Sequence, residues 1–173
     1  MKSFILIFLM VSSFVYSQTT QTQQQQPQQR PPACSTPEHR QFDFWIGEWN
    51  VDQAGKPAGT SSIQLILNRC VIFENWTGGG GYAGKSFNLY NASTKQWEQY
   101  WVDGTGAAIV FTGDFRNGVM QMNSEGKSAD GKKQITRMTF TPVDPNRVRQ
   151  LWEQSDDDGK TWKTLFDGNY VRK

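Results

Sequence analysis

The sequence predicts an all-β domain, an antiparallel up-and-down barrel of about ten strands stopped at one end by one short N-terminal plug helix. Two observations lead there. From Gly47 onward, short runs of aromatic and β-branched residues alternate with turn clusters about 8 to 12 residues apart, the rhythm of a sandwich or barrel. The segment 36–46 alone reads as helical, with Thr36 placed to cap it and Pro37 at its first position.

The strand breaks fall at 53–56, 78–81, 91–94, 103–104, 116–118, 130–131, 144–146, 156–159 and 167–168, all rich in Gly, Asn, Asp or Pro. With so many short strands and no further helix to cover a sheet edge, closure into a barrel is the preferred architecture, and a two-sheet sandwich is the alternative. No internal repeat suggests a propeller.

The chain has 173 residues and a formal net charge of +2. It opens with Lys2, an apolar run from Phe4 to Val11 and small or modest residues at Val15-Tyr16-Ser17, which together read as a signal peptide over 1–17. The apolar run is shorter than the ~18 to 20 residues that span a bilayer. No Cys stands near the cleavage region to accept a lipid. Residues 18–33 are mostly Gln, Thr and Pro and read as a disordered tether, leaving 34–173 as one domain. The expected location is secreted or periplasmic, with no stable membrane span after cleavage. A near-neutral charge offers no basic stripe for nucleic acid. The oligomeric state is not legible.

Both cysteines, Cys34 and Cys70, lie in the exported part, so one disulfide is favoured over two separate buried thiols.

The motifs Phe-Asp-Phe-Trp-Ile-Gly-Glu-Trp at 42–49, Cys-Val-Ile-Phe-Glu-Asn-Trp at 70–76, Ser-Phe-Asn-Leu-Tyr at 86–90, 97–103, 148–155 and 166–170 cover nearly all of 34–173. In these the chain resembles a mostly bacterial, secreted domain-of-unknown-function family with a lipocalin-like, calycin-type fold. The resemblance implies a plug packed over the Gly-x-Trp tryptophan, Trp49, with a basic residue near the chain end, Arg172, set over its ring. It implies no reaction and no cofactor.

Several strings look like chemistry. Residues 79–86 satisfy Gly-x-x-x-x-Gly-Lys-Ser, but a phosphate loop needs a helix to begin at the Lys-Ser. Residues 86–90 alternate like a strand instead, so 78–84 reads as a flexible connection at a barrel mouth. Residues 155–162 fit Ser-x-Asp-x-Gly-x-Thr-Trp, an Asp-box, read as a turn braced by Asp157 with Trp162 beneath it in preference to a Ca²⁺ site. His39 is the single histidine, so no His-based metal cluster can be built and no motif supports a catalytic triad; it reads as a helix-surface residue at the plug and not on a lumen strand, in preference to a haem ligand.

The parity of the strands is the better lead, because alternate residues share a face. Ile72, Glu74 and Trp76, then Ser86, Asn88 and Tyr90, then Trp97, Gln99 and Trp101 each mix polar groups with large side chains, and Gln150, Trp152 and Gln154 repeat this later. The opposite faces carry Val71, Phe73, Phe87 and Leu89, so parity groups the residues without choosing the interior. With the polar-aromatic faces inward, Glu74, Trp76, Asn88, Tyr90, Gln99, Trp101, Arg137 and Trp152 form the candidate ligand site, with Arg137 or Arg149 as the cationic partner of Glu74. The leading expectation is a binding protein for a small, partly apolar molecule. The alternatives are an enzyme using Glu74 as general acid or base with Tyr90 or Arg137 stabilising charge, a glycan- or protein-binding surface beside the Asp-box, and a lumen filled by its own side chains.

Overall fold

The computed structural model describes residues 32–128 and 130–173. They form ten strands: β1 (Gly47–Gln53), β2 (Lys56–Ile66), β3 (Val71–Gly78), β4 (Ala83–Asn91), β5 (Gln96–Asp103), β6 (Ala108–Arg116), β7 (Val119–Lys127), β8 (Lys133–Asp144), β9 (Arg147–Ser155) and β10 (Lys163–Arg172). Every strand pairs antiparallel with its chain neighbours, and β1 pairs with β10, so the sheet closes into an up-and-down barrel. Closure leaves no unpaired edge among the described strands. The signal peptide expected over 1–17 and most of the tether expected over 18–33, up to residue 31, lie outside the described residues.

Two of the expected turn positions differ. The β2–β3 connection is Leu67-Asn68-Arg69-Cys70, where three successive residues take positive φ (49°, 56° and 67°) although only Asn68 favours it. The 167–168 pair lies inside β10, where Asp167 pairs with Leu151 and Gly168 with Gln150. Gly168 is there because the Phe166 ring lies over it: a Cβ would sit 2.4 Å from Phe166 Cε1.

The plug is two consecutive 3-10 turns, Pro37–Arg40 and Asp43–Trp45. The tighter winding places residues three apart on one side. Phe42 and Trp45 accordingly stack, centroids 4.9 Å apart at 12°, and both are fully buried. They meet Phe140 at 5.0 and 4.6 Å, while Phe44 reaches Phe115 at the same end of the barrel. The Thr36 hydroxyl pairs with the His39 ring at 2.8 Å and leaves the backbone amides uncapped.

Trp49 Nε1 donates to the Trp45 carbonyl at 2.9 Å, which ties the plug to β1. The Arg172 guanidinium lies over the Trp49 ring, as the resemblance implied. The Cys34–Cys70 disulfide is formed, with Cα atoms 5.1 Å apart, and ties the segment before the plug to the β2–β3 connection. No helix among the described residues is long and apolar enough to cross a membrane.

Candidate functional site

The polar-aromatic faces point inward. Ile72, Glu74 and Trp76 of β3, Ser86 and Asn88 of β4, and Trp97 and Gln99 of β5 are all buried, whereas Phe87 and Tyr100 are exposed on the outside. The outward faces are not without apolar contact, since Phe73 and Phe87 meet across β3 and β4 at 5.2 Å.

The plug fills one end of the barrel. Towards the other end lies a cavity of about 470 Å³, within the range of small-molecule sites. Its lining is layered by position along the strands. Glu74, Gln99, Gln150 and Tyr170 lie deeper, and Trp76, Trp101, Trp152, Phe166 and Ile109 lie nearer the mouth. Tyr170 forms the floor, with the Trp45 ring of the plug at 6.1 Å and the Trp76 ring at 6.3 Å. Tyr82, Gly78 and Gly79 belong to the rim, beside the glycine-rich β3–β4 connection. A strand follows Lys85-Ser86, Lys85 pairs outside with Asn75, and Ser86 faces inward, so the phosphate-loop context is absent there.

One chain of hydrogen bonds crosses three strands and ends on Glu74. Gln99 Nε2 donates to Asn88 Oδ1 at 2.8 Å, Asn88 Nδ2 to Ser86 Oγ at 2.9 Å, and Ser86 Oγ to Glu74 Oε2 at 2.9 Å. From the other side, Ser61 Oγ donates to Glu74 Oε1 at 3.1 Å. These donors favour the carboxylate, but desolvation outweighs them and raises the Glu74 pKa to about 7. Tyr170 donates to Gln150 Oε1 at 2.5 Å; burial first, then the neighbouring Glu74, hold its phenol protonated. Trp152 Nε1, on the cavity wall, is buried with no hydrogen-bond partner among the described residues.

Of the candidate site residues, Glu74, Trp76, Gln99, Trp101 and Trp152 line the cavity together. Three do not. Asn88 is fully buried behind the lining and is spent on the Ile72 carbonyl, Ser86 and Gln99. Tyr90 shares the inward parity but sits at the plug end of β4, against His39 and Trp97. Arg137 is on the outer face of β8, since Met138 and Phe140 take the inner positions. It pairs there with Glu153 at 2.9 Å and stacks 3.8 Å over the Trp162 ring. Arg149 likewise pairs outside with Asp167. Neither arginine is a partner of Glu74.

Residues missing from the candidate set include Tyr170, Gln150, Phe166 and Met138. Parity would have found Phe166 and Tyr170 once Gly168 was read as a strand residue, and Met138 by alternation with Phe140.

The Asp-box occupies the β9–β10 connection and is satisfied internally. Asp157 Oδ1 accepts from Ser155 Oγ at 2.7 Å and the Thr161 amide at 2.9 Å, and Oδ2 from Thr161 Oγ1 at 2.6 Å. These bonds hold its pKa at about 2. Trp162 Nε1 closes the turn on the Gly159 carbonyl at 3.0 Å.

Among known proteins, no family model matches the chain and no curated protein matches it.

Proposed function

We propose that this is a secreted or periplasmic protein that takes one small, partly apolar molecule into the barrel lumen. The observation that carries this reading is the two-layered cavity: a ring of Trp76, Trp101, Trp152 and Phe166 above a fixed polar layer holding Glu74, Gln99, Gln150 and Tyr170. Apolar walls with a few placed polar groups are the make-up of a small-molecule site. The buried Trp152 N–H without a partner adds a donor that a ligand would satisfy. The disulfide suits an oxidising compartment. The resemblance of the 42–49 motif to the secreted lipocalin-like family agrees with this reading.

Native mass spectrometry of residues 18–173, exported into an oxidising compartment and compared with the denatured sample, tests the proposal. A discrete mass lost on denaturation, absent from Trp101→Ala, is the expected result. A bare mass, with no saturable binding when an apolar fluorophore is titrated into the wild type, counts against it.

A second reading rests on the Glu74 pKa of about 7, which suits a general acid or base at neutral pH. On this reading Tyr170 takes the stabilising role first given to Tyr90 or Arg137. Glu74→Gln then removes turnover while binding persists.

A further inference from the structure

From the lining of the cavity we infer that its preferred ligand carries a cationic nitrogen on a flat apolar body, the nitrogen paired with Glu74 and the body held among the tryptophans. This deepens the lumen-binding proposal and rests on it.

The charge inventory comes first. Among the described residues, Glu74 is the single acidic side chain in the lining, and the lining holds no Lys, Arg or His. The groups facing it come from every neighbouring wall: Ser61 of β2, Ser86 of β4, Gln99 of β5, Gln150 of β9 and Tyr170 of β10. All are neutral. The basic residues that could have compensated it, Arg137 and Arg149, are held outside by Glu153 and Asp167. A buried carboxylate without a counter-charge is costly, and a ligand cation is the remaining way to supply one. An anionic ligand would meet the carboxylate with no base to offset it.

The second observation is independent of Glu74. Trp76, Trp101 and Trp152, with Tyr82 at the rim, surround the path between mouth and floor. Aromatic faces attract cations and repel anions. The walls and the floor therefore select the same sign. Ser86, which ends the chain from Gln99 through Asn88, and Ser61 of β2 each donate to one oxygen of Glu74, so donors for the ionised form are in place when a cation arrives.

Ionisation supplies a signature. Free Glu74 holds its proton up to about pH 7, so at pH 6 a bound cation displaces that proton to solvent, about one per ligand. The cation keeps its charge and the carboxyl oxygen loses its hydrogen; no other bond changes.

Three probes share an indole body and differ in head charge: tryptamine, 3-ethylindole and indole-3-propionate. Isothermal titration of each into the mature protein at pH 5 and 8 should rank tryptamine first at pH 8, by about tenfold over 3-ethylindole, with indole-3-propionate weakest. The advantage should shrink at pH 5 and be lost in Glu74→Gln. Titration at pH 6 in buffers of different ionisation enthalpy should show release of about one proton with tryptamine and none with 3-ethylindole. This measurement uses the wild type alone, so it stands even where the variant folds poorly. Equal binding of all three probes, or tryptamine binding without proton release, overturns the cation inference and leaves lumen binding intact. Failure of all three to bind at millimolar concentration overturns the cation inference, and with a bare native mass and no saturable fluorophore binding it overturns both.

Discussion

Arg172, the penultimate residue, places its guanidinium 4.3 Å from the centroid of the Trp49 ring and donates through Nη1 to the Ile46 carbonyl at 3.1 Å. One side chain thus joins β10 to β1 and to the backbone leaving the plug, at the seam where the barrel closes. Gly47 makes room for it: a Cβ there would lie 2.1 Å from Arg172 Nη1. Arg172→Ala should lower the unfolding free energy by about 2 kcal/mol, the combined scale of a part-exposed cation–π contact and a charged hydrogen bond. Arg172→Lys keeps the charge but loses the planar stack, so it should recover part of the loss. Urea denaturation at fixed m-value measures both. An Ala variant with wild-type midpoint would show that backbone pairing closes the barrel without this contact.

The pH dependence of stability follows from two carboxyl groups of opposite sign. Glu74 has a pKa of about 7 in the folded barrel against 4.5 in the unfolded chain. Between those values the folded state holds more protons, so stability falls as pH rises through that window, by about 3 kcal/mol in all. Asp157 is shifted the other way, from 3.8 to about 2, so its contribution is present above 3.8 and is lost as the solution is acidified towards 2. Maximal stability is therefore expected near pH 4 to 5. In Glu74→Gln the decline towards neutral pH should flatten, and the variant should be the more stable protein at pH 8. Chemical denaturation at pH 3, 4.5, 6 and 8 reads this directly; parallel curves for the two proteins would show that Glu74 is solvated.

The strand rhythm and the inward grouping of residues were both legible, because alternation is a local property. Which group faced inward was not, since Phe73 and Phe87 are as apolar as the residues that took the interior. Depth along the barrel was also hidden. Tyr90 and Trp101 share the inward face, yet one packs on the plug and the other on the cavity, and that depends on which end the plug fills. Arg137 differs for another reason: charge pairing with Glu74 would turn it inward, whereas Met138 and Phe140 fix the parity of β8 and turn it out. The expected and observed strand numbers agree because one break replaces another: Gly168 reads as a turn but lies in β10, and the positive-φ run at Leu67-Asn68-Arg69, which carries few turn residues, makes the turn instead.

The Cys34–Cys70 bond closes a separation of 36 residues. Replacing both cysteines by Ser should cost about 3 to 4 kcal/mol on the loop-entropy scale. The bridge lies at the plug end, so tryptamine affinity at pH 8 should change by less than about twofold in the molecules that remain folded, a difference under ~0.5 kcal/mol. Thermal unfolding with and without reductant, followed by titration, separates the two effects. A large loss of affinity would mean that the bridge shapes the lumen as well as anchoring the plug.

Two inward-facing glycines should behave differently although both are tight. At Gly84 a Cβ would fall 2.2 Å from Trp101 Cζ2, on the ring of a side chain that lines the cavity. At Gly113 it would fall 2.0 Å from the Gln121 carbonyl oxygen, which the β6–β7 ladder holds in place. A ring can turn into the cavity, whereas a paired backbone cannot move without breaking its ladder. Gly84→Ala should therefore keep most of its stability and lose about tenfold in lumen affinity as Trp101 is displaced into the space a ligand would fill. Gly113→Ala should lose about 2 to 3 kcal/mol of stability, with affinity unchanged in the folded fraction. Urea denaturation and tryptamine titration of the two variants test the pair together. Equal loss of affinity in both would mean that Trp101 is not a wall of the binding site.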